Sequence, residues 1–360
     1  MLRLLLLLFI AIPIYAEDPL VIRHADRFEY LDRDGMKYQR LIGHVEILYK
    51  ASVMTADTAI HYHTLERIDF LGHAKFDYSG QFLEADRISY FKKDSSATTD
   101  GHVVLYEKEH KIRITGGKGD YSRSKEESRI WDKPVLTRID SVSGDTLFIV
   151  SRLMRHQGRN KKAFAEDSVF IRQGKIRAEC RLAEYDQVGE KVLLLQHPSV
   201  FYEKSRLSGD TIILYFQDNA LSRIRVTGNA NGLFLDDSHN KSDSEQVTLI
   251  NGDTLLAFLK DGEMERIQVI HNAVGLSYFR CDTARVNRLT GKQMLFFLSG
   301  KAIDSLEVRG NATSLYYYEE EKERGRNETS GDTLNIYFEE RRIHRITAKG
   351  AVQGVYCSVP

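Results

Sequence analysis

One alternating phrase recurs four times in the C-terminal half of the chain. Its first copy carries Ile224, Val226, Gly228, Ala230, Gly232 and Phe234 at every second position, all apolar or small, with Arg225, Thr227, Asn229 and Asn231 between them. A two-residue period of this kind is a strand with one buried face and one wet face. The phrase returns as Ile267, Val269, His271, Ala273, Gly275 and then as Leu306, Val308, Gly310, Ala312, Ser314, Tyr316. Its last copy is Ile346, Ala348, Gly350, Val352, Gly354, Tyr356. The steps are 43, 39 and 40 residues, which is the spacing of a repeat architecture.

A second phrase pairs a small residue with Asp, usually followed by Thr. It stands at Ala56-Asp57-Thr58, Gly144-Asp145-Thr146, Gly209-Asp210-Thr211, Gly252-Asp253-Thr254, Cys281-Asp282-Thr283 and Gly331-Asp332-Thr333. Gly-Asp is turn chemistry, so each Asp is expected to open a strand by bonding back to nearby backbone. Two residues beyond it comes an apolar side chain, such as Ile212, Leu255 or Leu334, which sets the buried parity of that strand. An aromatic residue ends the Asp strand, and nine residues later the alternating strand starts: Tyr215 with Ile224, Phe258 with Ile267, Phe297 with Leu306, Tyr337 with Ile346. Short polar turns such as Lys260-Asp261-Gly262-Glu263 join them, so each repeat reads as a hairpin. A lone hairpin cannot bury its apolar face, but stacked hairpins can.

The N-terminal half repeats more tightly. Gly43-His44, Gly72-His73 and Gly101-His102 stand 29 residues apart, with Leu41, Val45, Ile47 and Ile68, Phe70, Ala74, Phe76 alternating around them. The middle is less regular. There Trp131-Asp-Lys-Pro-Val135 and Gln196-His-Pro-Ser-Val200 resemble the Gly-Asn-Ala slot with proline inserted. Tyr, Phe, Val, Ile and Thr are abundant and no window holds a helical period, so the chain is expected to be all-β. Leu4 to Ile14, followed by Ala16, reads as a secretory signal over residues 1–16. The apolar run is shorter than the roughly 20 residues a spanning helix needs. Two sets of β-repeats follow, 17–150 and 151–360, read as continuous, with the best candidate for a boundary in a polar loop at 151–162.

Lys plus Arg equals Asp plus Glu, at 51 each, so no global charge draws the chain to nucleic acid. There is no phosphate loop, nucleophile elbow or dinucleotide fingerprint, so no enzyme and no cofactor is expected. His44, His73 and His102 recur at one repeat position, and His61 and His63 share a strand face. No carboxylate or cysteine is evident at a fixed offset from them, so they read as wet-face or turn residues and no metal is expected. Cys180, Cys281 and Cys357 are too few and too scattered for a disulfide framework or a metal site, and Cys281, in a slot elsewhere filled by Gly or Ala, reads as a small buried residue. Arg152, Arg155, Arg159, Lys161 and Lys162 form the one sizeable basic run. It reads as a solvated loop or as a contact for anionic head groups. The buried face leaves two readings open, a filled core or a groove for acyl chains. Gly and Ala on it leave room for a ligand or allow sharp bends.

Gly43-His-Val-Glu-Ile47, Thr55-Ala-Asp-Thr-Ala-Ile-His-Tyr62, Ile68-Asp-Phe-Leu-Gly-His-Ala74 and Leu83-Glu-Ala-Asp-Arg-Ile-Ser-Tyr90, with the later Gly-Asn-Ala phrases, carry a resemblance. Together with the signal sequence they resemble the OstA-like (LptA-type) family of periplasmic lipopolysaccharide-transport proteins, over about residues 40 to 356. The resemblance implies a repeat-built antiparallel β-jellyroll, a half-open stack of hairpins with lipid acyl chains on its inner face. On this chain that face would be Val45, Ile47, Ile68, Phe70, Ala74 and Phe76 in the first half. In the second half it would be Ile224, Val226, Ala230 and Phe234, then Ile267, Val269, Leu306, Val308 and Ala312. It further implies a periplasmic carrier or bridge for lipopolysaccharide or a similar lipid, joined end to end by strand addition to other jellyroll transport components and to an outer-membrane assembly barrel. With no run of barrel strands, the stand-alone form is expected. The contrasting expectation is an exported β-solenoid scaffold with a filled core.

Overall fold

The computed structural model describes residues 20–33, 36–49, 52–78, 80–108, 111–122, 124–139, 146–186, 188–217, 220–236, 246–260, 262–299, 302–320, 323–339 and 342–359. The signal segment, Asp145 and Asp261 lie outside them. Among the described residues the fold is all-β, without a helix, and the strand pairings are antiparallel. It is the expected β-jellyroll of stacked hairpins.

Each long strand is bent in its middle. Met36–Tyr49 pairs with Ser52–Tyr62 as Ile42↔Thr58 and then Val45↔Ala56, so Gly43 and His44 stand opposite Asp57 alone. Two residues against one is a β-bulge, which turns the strand. Here both bulge residues are left-handed: Gly43 at φ 79° and His44 at 46°, Gly72 at 73° and His73 at 45°, Gly101 at 76° and His102 at 45°. The alternating phrase of the second half does the same with Gly228-Asn229, His271-Asn272 and Gly310-Asn311. The proline phrases sit at the same corner, where Asp132-Lys133 and Gln196-His197 supply the left-handed pair between separate strands. Each long strand thus has two arms joined at a corner, and elsewhere two short strands supply the arms. The two arms face each other, and side chains of one parity from both arms fill the space between.

Three expectations are corrected. Three of the repeated Asp residues do not open a strand: Asp57, Asp253 and Asp332 lie mid-strand at the corner, whereas Asp210, in the bend after Ser205–Ser208, does stand just before the strand Thr211–Gln217. Gly-Asp suits a turn and a bulge alike, so residue type did not separate them. Cys281 is exposed, and Asp282 does open a strand: its Oδ1 accepts hydrogen bonds from the Ala284 and Arg285 amides at 3.2 and 3.3 Å. The true corner of that strand, Asp282–Ser299, is at Gly291-Lys292. The expected loop at 151–162 contains the strand Leu153–Gln157 and a tight turn.

The chain forms two compact units. One runs to Gly174 and includes Leu182–Gly189; the other holds Lys175–Arg181 and everything from Glu190, so the division falls within the strand Ile176–Asp186. In the first unit Phe70, Ile88, Val45, Ile47 and Val103 are almost wholly buried in one cluster. Burying a side chain of this size stabilises the fold by about 1.5–3 kcal/mol. In the second unit the wet face is also ordered. Tyr215, Arg223, Phe258, Arg266, Phe297, Ser305, Tyr337 and Arg345 lie directly opposite one another on successive strands. Arg223, Arg266 and Arg345 stack on Tyr215, Phe258 and Tyr337, with guanidinium carbons 4.1, 4.2 and 4.3 Å from the ring centres. Such cation–π contacts add roughly 0.5–1 kcal/mol each at exposed sites.

Candidate functional site

Among the described residues, the inward face is an apolar surface to which successive repeats contribute. In the second unit, register aligns it into rows. Ile224, Ala257, Ile267, Phe296, Leu306, Ile336 and Ile346 face one another across successive strands. Next to them run Val226, Leu255, Val269, Met294, Val308, Leu334 and Ala348. Beyond the corner, Ala230 faces Gly252, Ala273 faces Gly291 and Ala312 faces Gly331.

The residues singled out in the sequence fall on this face. Val45, Ile47, Ile68, Phe70 and Ala74 belong to the core cluster of the first unit, and Phe76 packs against it half-buried. Ile224, Val226, Ala230, Ile267, Val269, Leu306, Val308 and Ala312 are buried, and Phe234 is half-buried. Sequence reasoning left out of this set the matching residues of the Asp strands, Leu255, Ala257, Met294, Phe296, Leu334 and Ile336, all buried. Their two-residue period was the available signal.

The small residues serve bending and packing. Gly228 is left-handed, and a Cβ there would collide with Asp210. The space beside Gly232 is taken by the Phe234 ring, Leu207 and Leu255. In the first unit Phe70 and Phe76, on opposite arms of one strand, meet edge to face with ring centres 4.9 Å apart. The interior of each unit is therefore packed by its own side chains.

Opposite the corner, the free ends of the two arms form a pair of lips. Among the described residues, strand pairing runs within an arm, and side chains bridge the lips. Tyr49 and Tyr90 approach with ring centres 6.3 Å apart in the first unit. In the second, the Tyr202 hydroxyl donates to the Gly262 carbonyl at 3.4 Å.

The corner has its own polar order. His44, His73 and His102 each donate from Nδ1 to Oδ2 of Asp26, Asp57 and Asp86, at 2.9, 2.9 and 2.8 Å. Asn229 and Asn272 do the same through Nδ2 to Asp210 and Asp253, at 3.2 and 3.1 Å. So a carboxylate does accompany each of these histidines, contrary to the sequence reading: Asp57 and Asp86 on the neighbouring strand, Asp26 in the bend between Val21–His24 and Arg27–Arg33. The offset is 16 residues for Asp57 with His73 and for Asp86 with His102, and 19 for both Asn pairs, a regularity present in the sequence. The Asp26 carboxylate raises the His44 pKa and the Asp57 carboxylate raises that of His73, in each case chiefly through the hydrogen bond. The Asp26 pKa is lowered by the same bond to His44. His61, half-buried beside His63 with ring centres 4.2 Å apart, is pushed down to about 4, first by burial and then by the His63 charge. Among the described residues no group of three or more His, Cys, Asp or Glu is placed to hold a metal.

The basic run does not form a free cationic patch. Arg155 bonds Glu166 at 2.7 Å and lies 3.6 Å from Glu127, Arg159 lies 3.7 Å from Glu126, and Lys162 pairs with Glu184. No helix of the described residues is long and apolar enough to cross a membrane.

No family model and no curated protein matches the chain. Among solved structures, the chain is similar to LptH, the LptA homologous periplasmic component of the conserved lipopolysaccharide transport device from Pseudomonas aeruginosa. The match has 18% sequence identity and a TM-score of 0.29, and covers 38% of this chain and 82% of that one.

Proposed function

We propose that this chain is a non-enzymatic periplasmic carrier that shields the acyl chains of lipopolysaccharide or a similar lipid on their way to the outer membrane. The observation that supports it is the set of unbroken apolar rows crossing strand after strand, between arms whose lips are bridged by side chains. Parting the lips exposes a track without breaking the strand ladder of either arm. Each acyl methylene that moves from water to such a track is stabilised by about 0.8 kcal/mol. Because successive rungs are alike, a chain moves along them with little net change in free energy. Val45, Phe70, Val226, Val269 and Val308 are then walls of the track, and Phe76 and Phe234, half-buried, are its most accessible contacts. In this reading the partners are other jellyroll components, joined by strand addition, and an outer-membrane assembly barrel.

The near-complete burial of the inward side chains favours a second reading, a scaffold whose core is permanently filled. One experiment separates the two. A photoreactive benzoylphenylalanine is placed at Phe76 or Phe234, with exposed Arg225 on the wet face as control. The carrier captures lipid on irradiation in cells at both inward positions and not at Arg225. Capture at neither, in protein that retains its native melting profile, leaves the scaffold.

A further inference from the structure

The inward face of the second unit changes character toward one lip. In the arm that carries Ala230, Ala273 and Ala312, the positions at the corner are Ala and Gly. Four residues further out, the same parity reads Phe234↔Thr248↔Ser277↔Asn287 on four successive strands. On the next three it reads Tyr316↔Asn327↔Tyr356. The two runs meet where Asn287 Oδ1 accepts the Tyr317 amide at 2.9 Å. Thr248, Ser277, Asn287, Tyr316 and Asn327 are all half-buried. Gln246 donates to the Ser277 hydroxyl at 2.8 Å, and Thr329 donates to Asn327 Oδ1 at 2.7 Å, which holds the row in place. The amide nitrogens of Asn287 and Asn327 have no partner among the described residues. The facing arm presents the buried apolar row that runs across its strands through Ile224, Ile267 and Leu306 to Ile336.

Such a row offers donors and acceptors without net charge, set among aromatic rings. Arg285, two residues further out on the same strand and within a register irregularity, is held by Asp282 and Glu319. A phosphate or carboxylate would call for free Arg or Lys in a bidentate setting. Hydroxyl and amide groups beside tyrosine rings instead match a sugar, whose hydroxyls hydrogen-bond and whose C–H face stacks on an aromatic ring.

We infer that this lip is a subsite for an uncharged glycosyl head group, with the acyl chains of the same lipid lying against the facing apolar arm. The inference rests on the carrier reading, and its test separates the two. The full chain is offered monoglucosyl-dioleoylglycerol, dioleoyl phosphatidate and dioleoylglycerol from identical donor vesicles, and lipid bound per protein is measured. The glucosyl lipid binds best, by roughly tenfold over phosphatidate, the equivalent of about 1.4 kcal/mol. Thr248→Val with Asn327→Leu abolishes that preference while leaving dioleoylglycerol uptake unchanged. Tyr356→Leu, at an exposed position whose ring stacks on Tyr318 with centres 5.5 Å apart, weakens it, and Tyr318→Leu, which removes the same stack, serves as the control for folding. Uptake of all three lipids alike, or a preference for phosphatidate, overturns the glycosyl subsite and leaves the carrier standing. Uptake of none by folded protein overturns both.

Discussion

At the scale of single residues, the corner pairs place histidine and aspartate side by side in solvent. Their protonation follows from that placement. An ordinary histidine titrates near 6.5, and the Asp26 and Asp57 carboxylates raise His44 and His73 above that value. The stabilisation that these two pairs supply is therefore complete below pH 6.5, the unfolded value, and is lost as pH rises through the raised folded values. Both pairs are open to water and screened, so the effect on global stability is small. His61 works in the opposite sense. Its folded value of about 4 means that the fold favours its neutral form, a contribution present above 6.5 and lost as pH falls toward 4. Proton NMR titration reads each ring separately: His73 titrates above 6.5, and Asp57→Asn returns it toward 6.5 while leaving His61 near 4. A His73 midpoint that ignores Asp57→Asn removes the pair from the account. These pairs were legible in principle, because the offset of 16 recurs. They were missed because the partner sits on the neighbouring strand, and scanning for ligand clusters favours short spacings.

At the scale of the strand, the corner is what turns a flat hairpin into a two-armed one. Gly72 is left-handed at φ 73°, with Asp57 lying where its Cβ would be. Gly262, in a hairpin turn, is left-handed at φ 80° with open space around it. Ala at Gly262 meets the backbone penalty alone, about 1 kcal/mol. Ala at Gly72 meets that penalty and a displaced Asp57, for roughly 2–3 kcal/mol in total. Urea unfolding of the two variants gives the difference directly, and Asp57→Ala in the Gly72→Ala background restores part of the loss. Equal costs at the two sites mean that the corner aspartate is not packed against its glycine. His271 shows how the corner accepts a side chain: it stands in the first bulge position at φ 59°, and Asn272 still bonds Asp253. Most of the element-scale structure was readable in the sequence. The inward parity of Ile224 and Val226, the turn at Lys260 to Glu263 and the kinship of the two proline phrases with the Gly-Asn corner follow from periodicity and turn chemistry. The alternating strand was read straight through the corner, but what periodicity could not reveal is that the Asp strand also continues through it, since a bulge and a strand start use the same residues. Cys281-Asp282-Thr283 copied the phrase without occupying the corner, and its exposure is the result.

At the scale of the whole molecule, the two tandem repeat sets leave one question that neither residues nor strands decide: what meets the strand ladder where it stops. Among the described residues, Val21–His24 and Arg27–Arg33 pair on one side only, with Met36–Tyr49. At the other terminus Arg342–Lys349 and Gln353–Val359 pair on one side only, with Glu323–Glu339. A row of unpaired backbone groups is a template for another strand. Apolar side chains that continue the inward rows lie open beside each edge: Phe28, opposite Leu41, is 54% exposed, and Tyr356, opposite Asn327, is 59% exposed. The two edges are different surfaces, so copies joining through them meet head to tail, and such contacts build open chains rather than closed pairs. Sedimentation velocity across a range of protein concentrations should therefore show a continuing series of larger species instead of a single dimer. Phe28→Lys or Tyr356→Lys each places a charge at one edge and caps the growth, shifting the weight-average mass toward the monomer. Because Phe28 is already mostly in water, Phe28→Lys should lower the melting temperature by no more than about a degree or two, while Tyr356→Lys also loses the ring stack on Tyr318 and costs more. A mass that stays monomeric at every concentration leaves these edges for a different partner, and a single dimer unaffected by either substitution places the self-contact elsewhere on the chain.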